Sequence, residues 1–158
     1  MEYVDLNARV GDLSGVLDPS RYLKNLPSIA ADLPPGARAF ATDTDHYTFP
    51  GRRCVKDLTL DPIRGSGSDG GDELEILFRH NCWKHDDDLV IRYTGVSGYV
   101  IDSSGGSQGT DPWTVILDEI LPDQNGCSHE IACWEGTLTV VCSDLRATWV
   151  EALCPSKP

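Results

Sequence analysis

The stretch Cys127-Ser128-His129-Glu130-Ile131-Ala132-Cys133-Trp134-Glu135-Gly136-Thr137-Leu138-Thr139-Val140-Val141-Cys142-Ser143 decides the fold class. Two β-forming runs, 127–134 and 137–143, flank Glu135-Gly136, a pair suited to a two-residue hairpin turn. That turn predicts Trp134 opposite Thr137, Cys133 opposite Leu138, Ile131 opposite Val140 and His129 opposite Cys142. Ile131, Cys133, Leu138, Val140 and Cys142 then line one apolar face, with His129 and Cys127 at its end. Trp134, Ala132 and Val141 point to the other face.

Working outward, the same two-residue rhythm recurs. Leu74, Ile76 and Phe78 alternate with Glu73, Glu75 and Arg79, and Leu89, Ile91 and Tyr93 alternate with Val90, Arg92 and Thr94. That second run continues through Val96, Tyr99 and Ile101, with Gly95 and Gly98 marking a bulge or bend. Ala37–Ala41, Cys54–Leu60 and Trp113–Leu121 read as further strands. In Leu145–Leu153 the spacing of Leu145, Trp149 and Leu153 favours helix, and Thr148-Trp149-Val150 favours strand. Gly/Ser-rich connections fall at 61–72 and 102–111. Near the N-terminus, residues 1–17 fit an amphipathic helix or a short strand. Asp18-Pro19 reads as an N-cap and first helical position. Tyr22, Leu23, Leu26, Ile29, Ala30 and Leu33 follow at helical spacing, with Pro27 expected to kink or split the helix and Pro34-Pro35-Gly36 to end it. The expectation is one domain over 1–158, mainly β (α+β): an antiparallel β-sandwich or strongly bent sheet, a helical segment at 1–36 and a β-rich body at 37–154.

With 158 residues the chain can bury a core without disulfide support. Its formal net charge is −12. Such a surface repels phosphate backbones and anionic lipid, and favours a basic protein, a cation or a cationic substrate. No signal-like segment or membrane-length apolar run is visible, so six cysteines at irregular spacing read as reduced thiols in the cytoplasm.

Three groups could carry chemistry. His80-Asn81-Cys82-Trp83-Lys84-His85 places three zinc-type donors, His80, Cys82 and His85, within six residues. The hairpin register brings Cys127, His129 and Cys142 together, and the two groups could complete one zinc site. For each, the plainer reading is a core edge with buried thiols and a hydrogen-bonded histidine. Acidic clusters form the third group: Asp86, Asp87 and Asp88 after His85; Asp43, Asp45 and His46; and Asp69, Asp72 and Glu73. None has the spacing of a calcium-binding helix–loop–helix, and clustered Asp commonly caps turns. No cysteine sits at a helix N-terminus or among basic residues, where a thiol becomes nucleophilic. Nucleotide-binding and hydrolase motifs are absent. Trp134, turned away from the apolar face, is either packed by a further layer or an anchor for a partner.

The segments Asp88-Leu89-Val90-Ile91-Arg92-Tyr93-Thr94-Gly95-Val96, Leu117-Asp118-Glu119-Ile120, His129-Glu130-Ile131, Glu135-Gly136-Thr137-Leu138-Thr139-Val140 and Asp144-Leu145 form a cadence. Over roughly residues 74–151 it resembles small bacterial β domains of the immunity-protein type. The resemblance implies a non-catalytic inhibitor steered electrostatically onto a basic toxin. The expected function is a binding protein with a basic protein partner, with Asp86, Asp87, Asp88 and Trp134 as candidate contacts. Neither nucleic acid nor membrane is an expected partner, and no cofactor is expected apart from the zinc alternative. The rivals are that zinc protein, structural or hydrolytic, and a regulatory or structural subunit of an assembly.

Overall fold

Alternating side chains and tight turns build two four-stranded antiparallel sheets in a computed structural model that describes residues 1–61, 72–103, 113–134 and 136–152. The chain is a mainly-β α+β protein. It opens with a hairpin, β1 (Asp5–Val10) and β2 (Leu13–Asp18), then two helices, α1 (Ser20–Asp32) and α2 (Pro35–Ala41). The strands β3 (Thr59–Leu60), β4 (Glu73–Arg79), β5 (Asp87–Thr94), β6 (Gly98–Ser103), β7 (Val115–Asp123), β8 (Gly126–Cys133), β9 (Gly136–Cys142) and β10 (Asp144–Glu151) follow. One sheet has the order β10-β5-β4-β3 and the other β6-β9-β8-β7.

Leu74, Ile76, Phe78, Leu89, Ile91, Tyr93 and Leu145 of the first sheet share one buried cluster with Val115, Ile120, Ile131, Leu138 and Val140 of the second. The alternation predicted for β4, β5, β8 and β9 is therefore the inside–outside pattern of a sandwich. The chain crosses between sheets twice at one corner. β5 ends at Thr94 and β6 joins the other sheet, while β9 ends at Cys142 and β10 returns beside β5. Ser143 N–H donates to the Thr94 carbonyl there. Gly95 has φ 60°, and a Cβ on it would lie 2.2 Å from Ser143 Oγ, so the expected bend is a sheet-to-sheet crossing.

Several expectations are corrected. The first eighteen residues contain no helix, since residues 5–18 are mostly a hairpin. Pro27 does not split α1, whose Tyr22, Leu26 and Ala30 are buried at four-residue intervals. Pro19, not Asp18, occupies the N-cap position, although Asp18 Oδ1 accepts from Ser20 N–H at 2.9 Å. Ala37–Ala41 is helical because Pro35 opens α2 and a distant carboxylate caps it. Gly36 N–H and Ala37 N–H donate to Asp144 at 3.1 and 2.9 Å. Of Cys54–Leu60 only Thr59-Leu60 is strand. Asp57, at φ 74° and paired with Lys56 and Lys84, turns the chain just before it. The last segment is strand, because a spacing of four also returns Leu145 and Trp149 to one face of a strand. The Gly/Ser connections (62–71 and 104–112), Asp69, Glu135 and Leu153 lie outside the described residues.

Candidate functional site: a buried His–Asp–His–Tyr chain

The hairpin register differs from expectation by two residues. Cys133 faces Gly136, Ile131 faces Leu138, His129 faces Val140 and Cys127 faces Cys142. A shift of two preserves the side-chain face, so the apolar face stands as predicted but its pairs change. His129 is thus parted from Cys142 and points into the core.

There it meets Asp118, from the centre of β7. His129 Nε2 donates to Asp118 Oδ2 at 2.8 Å, and Tyr93 Oη lies 2.9 Å from His129 Nδ1. From the loop after α2, His46 Nε2 donates to both Asp118 oxygens at 2.8 and 2.9 Å. His46 Nδ1 faces the Phe40 carbonyl at 2.9 Å. Both ring nitrogens of His46 therefore face acceptors, which only the doubly protonated ring satisfies. His129 Nδ1 and Tyr93 Oη share one hydrogen bond, in which either atom can donate. The ring of His46 is also held between those of Phe40 and Tyr47, with centroids 4.2 and 4.3 Å away. Tyr47 Oη donates to the Asp118 carbonyl at 2.9 Å.

His46, Asp118, His129 and Tyr93 are each at most 1% exposed. Burial opposes the charge on His46, but the Asp118 carboxylate outweighs it and raises the imidazole above its ordinary range. Burial likewise opposes charge on Asp118, yet the His46 charge and the hydrogen bonds from both histidines hold its carboxyl far below the usual range. The neighbouring Glu119 points to the opposite face, where it accepts the backbone N–H groups of Glu2, Tyr3 and Val4 at 2.6–2.7 Å.

The predicted zinc donors do not converge. His80 Nδ1 contacts Asp88 at 2.7 Å and its Nε2 lies 3.5 Å from Cys82 Sγ. Cys82 is disulfide-bonded, which corrects the reading of all six cysteines as thiols. His85 is fully buried. It donates from Nε2 to the Cys54 carbonyl at 2.9 Å, and burial lowers its pKa. Cys127 and Cys142 contact each other at 3.6 Å. Among the described residues no three His, Cys, Asp or Glu side chains are grouped to hold a metal ion.

The acidic candidates are engaged as well. Asp86 pairs with Arg52, Asp87 with Arg53 at 3.3 Å, and Asp88 with His80 and Arg79. Asp43 caps a turn by accepting Asp45 N–H. Trp134, by contrast, is 68% exposed. Tyr99, Val100 and Ile101 of β6 are 52, 65 and 46% exposed. β6 has β9 on one side and no strand on the other among the described residues. Trp134 instead follows Cys133 in the β8–β9 turn, two strands from the β6 edge, and its N–H donates to the Thr114 carbonyl on the β7 side.

The Asp118 chain went unnoticed in the sequence, although Val115-Ile116-Leu117-Asp118-Glu119-Ile120-Leu121 carried a signal. Two adjacent carboxylates in an apolar strand point to opposite faces, so at least one must enter a packed layer and find donors. No protein-family model and no curated protein matches this chain.

Proposed function

We propose that this chain is a non-catalytic binding protein of the immunity kind, which captures a basic protein through the open edge of β6. The observation that carries this reading is the contrast between its two groups of notable residues. The titratable centre around Asp118 is sealed and internally satisfied, and no substrate can touch it. Tyr99, Val100 and Ile101 instead offer apolar surface on a strand whose outer edge is unpaired among the described residues, and Trp134 is exposed at the β8–β9 turn. Such an edge accepts an added strand through main-chain hydrogen bonds, with alternate side chains providing selectivity. The net charge of −12 steers a basic partner towards it and slows association as salt rises.

The four free thiols among the described residues, Cys54, Cys127, Cys133 and Cys142, are all buried and favour a reducing compartment such as the cytoplasm. The Cys82 disulfide points the other way. Thiol labelling of Cys82 in intact cells decides between them. Among the described residues no helix is long and apolar enough to cross a membrane.

Capture on immobilised protein at low ionic strength tests the binding role. The expected result is one stoichiometric basic protein, released progressively by salt and lost with Ile101→Asp. An acidic partner, or undiminished capture by the folded variant, overturns the reading.

A further inference from the structure

Cys127 and Cys142 face each other directly across β8 and β9, with their sulfurs 3.6 Å apart. Both are free thiols and both are buried. Opposed residues in an antiparallel pair have Cα atoms about 4.5–5.5 Å apart. This lies inside the ~4.4–6.8 Å that a disulfide spans. Rotation of the two side chains therefore closes the gap, with both strands staying in place. Cys54 and Cys133 have no such sulfur neighbour among the described residues.

The position of the pair gives it access. Cys127 is the second residue of β8 and Cys142 the last of β9, so they form an end rung of the ladder. Beyond them lie the Gly126 turn and exposed Ser143, at the corner where β9 leaves its sheet. End rungs open at much lower free energy than the core. Either sulfur can donate to the other across this contact; with Cys127 as donor, the Cys142 thiolate is favoured and Cys127 stays protonated. That asymmetry separates an attacking sulfur from a resolving one.

We propose that Cys127 and Cys142 are a modification site: an oxidisable thiol pair that hydrogen peroxide converts to a cross-strand disulfide. The Cys142 thiolate attacks one peroxide oxygen, the O–O bond breaks, and hydroxide leaves to be protonated to water. Cys142 is then a sulfenic acid. The Cys127 sulfur attacks it, the S–S bond forms, the S–O bond breaks, and the departing hydroxide takes the Cys127 proton as a second water. Two thiols and one peroxide thus give one disulfide and two waters. The new bond fixes β8 to β9, the strand on which β6 rests.

Peroxide treatment followed by thiol labelling of the denatured protein tests this. The expected result is two fewer labelled thiols, a peptide map joining Cys127 to Cys142, and recovery of both thiols with a dithiol reductant. Cys127→Ala should lose the cross-link and leave Cys142 labelled as a free thiol after the same treatment, because the thiol that favours its thiolate is gone. Should that variant fail to fold, phenylarsine oxide offers a second readout on the wild type, with one equivalent protecting both thiols from labelling. Unchanged thiol counts, a cross-link at other positions, or no arsenical uptake would overturn the proposal.

Discussion

Asp118 ties His46, 72 residues away in sequence, to His129 on the neighbouring strand, and its removal should show what a buried charge is worth. Asp118→Asn leaves His46 with its Phe40 contact and no counter-charge, so the expected loss is about 3–5 kcal/mol in denaturant unfolding. The pH dependence has two limbs. The raised His46 pKa contributes stability that is full below about pH 6.5, its unfolded value, and is lost as pH rises through the folded pKa. The lowered Asp118 pKa contributes stability that is full above about pH 4 and is lost as pH falls towards the folded pKa. The lowered His85 pKa also removes stability as pH falls below about 6.5, so thermal melts should show a maximum at about pH 6.5, with an alkaline decline and an acid decline that steepens below about pH 4. His46→Gln should remove the alkaline decline, and its persistence would sink the assignment. The sequence showed His129 as notable but offered the wrong company for it. A two-residue slip in register keeps faces and exchanges partners, so face membership was readable and pairing was not.

At the scale of elements, α2 shows why short segments resist local reading. Ala37-Arg38-Ala39-Phe40-Ala41 carries no strong period of its own, and its cap comes from Asp144 in the last strand. Asp144→Ala should cost about 1 kcal/mol, as lost N-caps do. It should also raise amide exchange in α2 above that in α1, measured by hydrogen exchange; equal protection in both helices would count against the cap. The corner is less forgiving. Gly126 has φ 146°, and a Cβ there would stand 2.2 Å from the Cys142 carbonyl oxygen. Gly126→Ala should therefore lower stability by at least ~1–3 kcal/mol, read from the denaturant midpoint. Strands with strict alternation, β4 and β5 above all, were legible because one face had to be buried. The crossing after β5 was not, because Gly95 signals only that the chain turns and leaves open which sheet it enters.

For the whole molecule, charge and an open edge act against each other. A net charge of −12 keeps copies apart, while β6 offers a ready template for pairing. At about 1 M salt the screening length falls to ~3 Å, so self-association through β6 should emerge in light scattering. Ile101→Lys should abolish it and leave the unfolding free energy within about 0.5 kcal/mol of wild type, as surface changes do. Scattering that rises equally in the variant would place the sticky surface elsewhere. Composition made the acidity plain, but the place of β6 at the end of its sheet follows from long-range pairing, which no local pattern encodes.

The late position of β10 also has a consequence in time. Residues 144–151 lie beside 87–94 and complete α2 as well, yet they are made about fifty residues later. At roughly 5–20 residues per second, the ribosome leaves Leu89, Ile91 and Tyr93 without their final neighbour for several seconds. The nascent chain, rather than the finished sandwich, is then the species most exposed to aggregation. A holdase chaperone should raise the soluble yield of this protein during synthesis and add nothing once β10 has emerged and docked.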